Sequence, residues 1–340
     1  MSLVYPDFFF PNTIESNHMQ LPPQLHRAIE EKMAQYNMQS LIKAAAELSE
    51  NYRAQSSPKG AFMSSETDRL AYISVRMPAT FSAISSVLSE VQRLMPDQQI
   101  NSVLDLGAGP GTASWAATET FHDVQQITLI ERDDQLIQIG KSLAAASENV
   151  ALKNAKWAQA DLRTTESFPT HDLVICSYAL NELASKAARK VLQTAWSAAR
   201  VAIIIIEPGT MPGFHLIRQL RTDLISFGGH LIAPCPHKEP CPLPLDDWCH
   251  FSQRLNRSSF HRHLKMGHLS YEDEKFSYIA ASKEPIQPAS ARVIRHPIRR
   301  PGHTQMQLCT QDGIQMLTIT RSDKPNWRRV KKTNWGDAWS

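Results

Sequence analysis

Apolar positions in the first hundred residues recur at three- and four-residue steps. Leu25, Ile29, Met33 and Tyr36, then Leu41, Ile42, Ala45 and Leu48, predict helix from about Gln24 to Ala54. Ser56-Ser57-Pro58-Lys59-Gly60 breaks it. A second helix is predicted over about Ser65 to Val75, with Glu66 and Asp68 at the positive end of its dipole. Pro78 is expected to open a third, which places Ile84, Val87, Leu88, Val91 and Leu94 on one face. Ahead of these, residues 1–23 read as an irregular start carrying Pro6, Pro11, Pro22 and Pro23.

At Ile100 the period changes. Ser102–Leu106, Gln126–Ile130, Asp172–Cys176 and Val201–Ile206 are short apolar runs that read as buried strands, with a weaker one at Lys156–Gln159. Helices fit between them at about Thr112–Thr120, Asp134–Ala146 and Ser185–Ala199. This βαβα rhythm predicts an α/β fold with a Rossmann-like parallel sheet. Lys275–Ala281 reads as a later strand joining it. From about Gly228 to Tyr271 the rhythm stops and Pro, Cys, His and Arg dominate. After Glu284 come short β-like runs at Arg292–Arg295, Gln305–Cys309 and Gln315–Thr320, the last two joined by a turn at Asp312-Gly313. The expected organisation is a helical segment over 1–98, an α/β domain over 99–284 with a Cys-rich insertion at about 228–271, and a β segment over 285–340.

Composition narrows the class. The 340 residues are 42% hydrophobic and 20% charged, which supports a packed core and excludes a disordered polymer. The longest apolar stretch, Val201–Ile206, is far short of a membrane span, so no membrane partner is expected. The first Lys or Arg is Arg27, which argues against a secretory signal and an Arg-rich presequence. The expected setting is therefore a reducing cytoplasm, where five cysteines are thiols or metal ligands rather than disulfides. No dimerisation stripe is visible, and a monomer is expected.

Val103-Leu104-Asp105-Leu106-Gly107-Ala108-Gly109-Pro110-Gly111-Thr112 is the first chemical signal. An apolar strand ends in a glycine turn that opens a helix, letting backbone pass close to a ligand. The spacing is G-x-G-x-G, and Thr112 departs from the dinucleotide fingerprint. The segment resembles motif I of the class I S-adenosylmethionine methyltransferases. That resemblance puts Asp105 near the methionine end of the donor, and Gly107, Ala108, Gly109 and Gly111 against the adenosine. Glu131 ends the second strand, where it suits the ribose hydroxyls, and Asp161 sits where that family contacts adenine. The fourth strand runs into Tyr178-Ala179-Leu180-Asn181-Glu182. Tyr178, Asn181 and Glu182 are the candidates for placing a methyl acceptor, although the Asn/Asp-Pro-Pro-aromatic motif of nucleic-acid N-methyltransferases is missing. Cys176 is expected in the core.

Cys235, Cys241 and Cys249 are separated by five and seven residues in a segment whose five prolines prevent helix and strand. Thiolate–metal bonds would pin such a loop. The spacing is not that of paired zinc ligands, and wider spacings suit iron–sulfur clusters, so the metal stays open at this point. Cys309 is a candidate fourth ligand, in competition with His230, His237, His250, His261, His263 and His268.

Four stretches then point one way: Glu207-Pro208-Gly209-Thr210 with Gly213-Phe214; Ala233-Pro234-Cys235-Pro236-His237 with Cys241-Pro242; Trp248-Cys249-His250-Phe251-Ser252-Gln253-Arg254; and Tyr271-Glu272-Asp273-Glu274-Lys275-Phe276-Ser277-Tyr278. From about Arg76 to Asp337 the chain resembles the methyltransferase-like assembly factors of the mitochondrial small ribosomal subunit, specifically their bacterial relatives. The resemblance implies a [4Fe–4S] cluster on Cys235, Cys241, Cys249 and Cys309, with zinc as the alternative metal, and the small subunit with its rRNA as partner. The missing organellar presequence suits a bacterial, cytoplasmic member.

Charge fits an RNA partner only locally. Residues 285–340 hold ten Lys/Arg against three acids, a net +7, while the rest of the chain carries −4. Trp327, Trp335 and Trp339 lie among these cations, where they either stack on unpaired bases or dock the tail on its own domain. A second basic group, Arg254, Arg257, His261, Arg262, His263 and Lys265, follows Cys249 and would put positive charge beside the metal. Three functions compete: a donor-binding, cluster-bearing factor of the small subunit; an active rRNA methyltransferase; and a zinc-stapled RNA-binding module with a vestigial methyltransferase fold.

Overall fold

The computed structural model describes residues 20–54, 65–265 and 269–339, with backbone alone for 49–54. The predicted break at Ser56–Gly60, most of the irregular start and His268 lie outside the described residues. Helices α1 (Pro23–Met33) and α2 (Met38–Ala54) match the first periodic stretch, and α1 buries Leu25, Ile29 and Met33. Helix α3 (Glu66–Leu94) differs from expectation, because one helix runs straight through Pro78 where two are predicted. Ser65 caps it in a box with Asp68. Proline normally breaks a helix interior by removing an N–H and crowding the preceding turn. Here Leu70, Ile73, Met77, Phe81, Ile84 and Leu88 are all buried on both sides of Pro78, and tertiary packing outweighs that penalty.

The α/β part follows as β1 (Ser102–Leu106), α4 (Thr112–Thr120), β2 (Gln126–Glu131), α5 (Asp134–Ala145), α6 (Val150–Lys153), β3 (Lys156–Gln159) and β4 (His171–Ser177). A 3₁₀ turn at Leu180–Glu182 leads to α7 (Ser185–Ala198), β5 (Ala199–Pro208), α8 (Met211–Ser226), β6 (His230–Ala233), β7 (Phe251–Asn256), α9 (Ser259–Leu264) and β8 (Tyr271–Ser282). The sheet order is β3-β2-β1-β4-β5-β8-β6, with β7 also on β8. Strands β1 to β5 are parallel and β8 is antiparallel to its neighbours. This is the Rossmann-like α/β sheet that the βαβα rhythm predicts. Alternation sends Val103, Leu173 and Ile175 to one face with α3 and α4, and Leu104, Val174 and Cys176 to the other with α7 and α8. Each fully buried Val, Leu or Ile contributes about 1.5–3 kcal/mol. The N-terminal helices thus share one core with the sheet rather than forming a separate one.

The remaining strands, β9 (Ala291–Val293), β10 (Ile298–Arg300), β11 (His303–Thr310), β12 (Gly313–Thr320) and β13 (Ala338–Trp339), form a second, antiparallel sheet carrying α10 (Lys324–Val330). Its own core gathers Val293, Met306, Leu308, Ile319, Val330 and Trp339. Among the described residues no helix is long and apolar enough to cross a membrane.

Candidate functional site

Two pockets concentrate the candidate chemistry. The first is a cleft of about 380 Å³ at the carboxyl ends of β1, β2 and β4. In open α/β sheets, ligands bind at that edge. Gly107, Gly109 and Gly111 all have positive φ (66°, 55° and 87°), which bends the chain from β1 into α4. A Cβ on Gly109 would meet nothing within 4 Å, so this glycine faces open cleft. Glu131 lies at the end of β2, and its carboxylate accepts from Gly109 N (2.8 Å), Arg132 N (2.8 Å) and Asp133 N (2.9 Å). A carboxylate has four acceptor sites, so capacity for a further donor remains. Asp161 also lines the cleft, paired with Arg163. That guanidinium holds the Asp161 carboxyl down at about 2.

Asp105 does not line the cleft. It is completely buried under the turn and accepts from Ser114 N (3.1 Å) and Ser114 Oγ (2.9 Å) in the first turn of α4. Its Oδ1 has no partner, and burial pushes its carboxyl up to about 7. A raised acid favours folding fully below the unfolded value near 4, and that contribution is lost as pH rises through 7. Thermal melts should therefore show wild-type stability falling by about 1–1.5 kcal/mol from pH 6 to pH 8 from this group alone. Asp105→Asn should remove that fall. An identical pH slope in the variant would refute the assignment. Glu207, also fully buried and pushed up to about 8, falls across the same window, so Asp105→Asn keeps a slope and the difference between the two proteins is what reports Asp105.

Tyr178 and Glu182 line the same cleft and Asn181 does not. Tyr178 has φ +56°, a left-handed conformation that costs a non-glycine residue about 1–2 kcal/mol. Its hydroxyl donates to Glu274 Oε1 (3.2 Å), which Arg76 also binds (2.9 Å). Glu182 pairs with Arg132 across the cleft mouth (3.0 Å). Burial raises its carboxyl against the pull of Arg132. Sequence reasoning missed the wall supplied by α3, where Tyr72, Thr80 and Ile84 face the cleft, because that helix stands outside the βαβ rhythm.

The second pocket is a cavity of about 40 Å³ that all four candidate cysteines line. The register explains their convergence. Ala233 ends β6 opposite Ala280 of β8, and Phe251 begins β7 opposite Phe276 of the same strand. The chain from Pro234 to His250 therefore leaves and returns to one edge of β8 within about 13 Å, at about 3.3 Å per residue, and brings Cys235 and Cys249 together. Cys309 enters from β11, where it pairs with Arg292 of β9. Burial and neighbouring thiols raise the Cys249 thiol far above its ordinary value and push that of Cys309 up to about 12. Burial thus disfavours the thiolate at Cys249 and Cys309 unless a metal displaces the protons. Among the described residues no three His, Cys, Asp or Glu side chains gather tightly enough to hold a single ion. Of the competing histidines among the described residues, His237 alone lines the pocket, with Nε2 3.7 Å from Cys309 Sγ. His250 instead stacks on Trp248 (5.2 Å) and meets the edge of Trp335 (4.7 Å). Cys176, in β4, is buried in the core shared with α7 and α8, the core position predicted for it.

The basic segments separate. Arg254 pairs with Asp273, while Arg257 and Lys265 both pair with Glu272, against which His261 is buried. Asp273 and Glu272 of β8 thus neutralise Arg254, Arg257 and Lys265, contrary to expectation, while Arg262 and His263 stay exposed. Trp339 and Trp327 pack on the core of the second sheet and Trp335 is wedged against His250 and His296. The tryptophans therefore dock the tail, the other of the two predicted outcomes. Arg299, Arg300, Arg321, Lys324, Arg328, Arg329, Lys331 and Lys332 remain exposed.

Comparison with known proteins adds family context. The model of the family described as Mitochondrial small ribosomal subunit Rsm22 matches residues 66–340. A human protein named Ribosome assembly protein METTL17, mitochondrial, is 27% identical over 288 residues, covering 79% of this chain and 61% of that one. Rsm22-cox11 tandem protein 2, mitochondrial, of Schizosaccharomyces pombe is 26% identical over 329 residues, covering 79% of this chain and 43% of the other. The chain thus spans less than two thirds of the length of either relative. A crystal structure of magnesium protoporphyrin IX methyltransferase from Synechocystis PCC 6803 with bound SAM has 12% identity and a TM-score of 0.42, over 68% of this chain and 88% of that one. The expected cytoplasmic, bacterial setting is corrected here: both relatives are named as mitochondrial proteins and neither is bacterial.

Proposed function

Because the chain belongs to the mitochondrial small ribosomal subunit Rsm22 family, we propose that it is a donor-binding, iron–sulfur factor that acts on the small ribosomal subunit during its assembly, in contact with rRNA. The observation that carries the reading is the position of the cysteine pocket. Cys235, Cys241 and Cys249 come from the edge of the methyltransferase-type sheet, and Cys309 comes from the basic second sheet. A centre bound by all four would hold the cationic sheet in a fixed place on the α/β body. Its exposed arginines and lysines supply the sequence-independent attraction to phosphate that RNA binding needs.

The residues fit both groups. Gly109 opens a cradle in the cleft that a Cβ would fill, and Glu131 keeps acceptor capacity there for ribose hydroxyls. Gly107, Ala108 and Asp161 complete the proposed S-adenosylmethionine site, with Gly111 and Asp105 shaping the turn from below. When bound, S-adenosylmethionine supplies an electrophilic methyl group. In the other pocket, the thiols surround a cavity rather than one point. A single zinc needs four donors about 2.0–2.3 Å from its centre, so a [4Fe–4S] cluster suits the arrangement better.

Methyl transfer to rRNA is the second reading, favoured by Tyr178 and Glu182 sharing the cleft with the glycine turn. Tyr178 is committed to Glu274 and Glu182 to Arg132, so the acceptor would have to exchange those bonds.

Calorimetry with S-adenosylmethionine should show binding that Glu131→Ala weakens by about tenfold or more, the loss of charge-assisted hydrogen bonds. Crosslinking to small-subunit rRNA, with the anaerobically prepared protein and after cluster removal, should give contacts that depend on the cluster. Equal donor binding by Glu131→Ala, or no rRNA contacts in either state, would reject the reading. Radiolabelled methyl incorporation into small-subunit rRNA would establish the second one.

A further inference from the structure

The lining of the cysteine pocket is apolar apart from a set of buried nitrogen atoms that have no partner. Arg221 is 4% exposed, yet among the described residues no carboxylate pairs with it. Its Nη2 donates to two carbonyls of the cysteine loop, His237 O (2.7 Å) and Glu239 O (2.8 Å), and its Nε is unpaired. One turn earlier on the same face of α8, Arg218 Nη2 donates to Cys241 O (3.1 Å), and its Nη1 is unpaired. Arg292 Nη2 and His237 Nδ1, at the same pocket, are unpaired as well.

A buried guanidinium without a counter-charge costs several kcal/mol. Arg292 meets that demand with Glu90, whereas Arg221 faces only thiols and carbonyls. The arrangement is complementary to an anion inside the pocket, and four thiolates around an iron–sulfur core carry net negative charge.

We propose that Arg221, supported by Arg218, is a positioning residue for an anionic iron–sulfur centre: it clips the cysteine loop by its carbonyls and supplies the buried positive charge that sets the centre's reduction potential. The inference rests on the iron–sulfur reading above. A cation close to the cluster favours the more negative, reduced state, so its removal makes reduction harder. Arg221 and Arg218 carry no signal in the sequence, because they lie at i and i+3 of a helix that apolar patterning does not mark.

The test uses the full chain, reconstituted anaerobically with ferrous iron and sulfide. Iron and acid-labile sulfide per chain are measured first, then a dithionite redox titration followed by electron paramagnetic resonance. At a potential that reduces half of the wild-type clusters, the reduced-to-oxidised ratio in Arg221→Gln is expected to fall roughly tenfold, as for loss of one nearby buried charge. Arg221→Lys, which keeps the charge, should recover most of that loss, and Arg218→Gln should shift less because Arg218 is half-buried. A titration of Arg221→Gln that overlays the wild type would overturn the proposal while leaving the iron–sulfur reading intact. If Arg221→Gln loses its iron and Arg221→Lys retains it, the charge is what holds the centre, and the proposal stands. Equal iron loss in both would make Arg221 a loop clip alone and overturn it. Wild-type protein that takes up no iron would remove the underlying reading together with the proposal.

Discussion

Glu90→Gln is expected to destabilise the protein by about 3 kcal/mol and to loosen the second sheet, a cost typical of breaking a buried ion pair from one side. Arg292 is 2% exposed and donates to Glu90 Oε1 at 2.6 Å, to Pro234 O at 3.0 Å and to Gly336 O at 2.9 Å. Those bonds join α3, the start of the cysteine loop and the chain just before β13. Without the Glu90 charge, the guanidinium stays buried among carbonyls. Arg93 also pairs with Glu90, but its side chain is 54% exposed, and a pair that exposed contributes little. Urea unfolding should show a lower midpoint with an unchanged slope. The double variant with Arg292→Met should recover part of the loss, because a neutral pair replaces a stranded charge. The pH dependence is a second check. Burial works to raise the Glu90 carboxyl, but the guanidiniums of Arg93 and Arg292 prevail and hold it below its ordinary value of 4.5. Its contribution is therefore present above about pH 4.5 and lost as pH falls through the lowered value, so wild type and Glu90→Gln should converge in acid. A loss below 1 kcal/mol at neutral pH would show that the guanidinium is neutralised some other way.

The legibility of this molecule in its sequence follows burial. Strands β1, β2, β4 and β5 are buried on both faces, so they are written as short apolar runs, and their order follows from the helices between them. Helix α3 departs from expectation at Pro78, where the apolar faces on either side outweigh the local stereochemistry of proline. Helix α8 has no counterpart among the expected elements, because its start, Pro212-Gly213, pairs the two poorest helix formers. In the structure Thr210 caps it by accepting from Gly213 N, and Pro212 takes a first-turn position where its missing N–H costs nothing. The glycine turn is legible because its backbone conformation restricts those positions to few residue types, and the structure brings Glu131 and Asp161 to its cleft and the four cysteines to one pocket. Their surroundings are not legible. Arg221, Arg218 and Arg292 are cations like any others in sequence, and only burial without an acidic neighbour makes Arg221 and Arg218 unusual. The basic run from Arg254 to Lys265 departs for the converse reason: β7 and β8 pair, and Glu272 and Asp273 of β8 neutralise Arg254, Arg257 and Lys265 in space.

Gly107→Ala should destabilise the fold by about 3 kcal/mol and abolish donor binding, the sum of a left-handed backbone penalty and an overlap that cannot relax cheaply. Gly107 has φ +66°, and a Cβ there would lie 2.5 Å from Ala179 Cβ. Ala179 has no flexible end to swing away, and it follows Tyr178, itself held at φ +56°. Relief must come from shifting the β4 loop, which moves Tyr178 and Glu182 at the cleft, or from lifting the glycine turn off Ile130 O, to which Gly107 N is bonded at 2.9 Å. Gly109→Ala is the matched control. Its φ of +55° imposes a similar backbone penalty, about 1 kcal/mol, but its Cβ meets nothing within 4 Å. That variant should fold nearly as well as wild type and yet bind S-adenosylmethionine weakly, because the new methyl stands in the cleft. Melting temperatures and calorimetry on the pair therefore separate two roles of one motif: Gly107 lets two loops touch, and Gly109 leaves space for a ligand. If both variants melt alike, the contact with Ala179 is not what restricts position 107. If Gly109→Ala binds the donor as wild type does, the cleft is not where the donor sits.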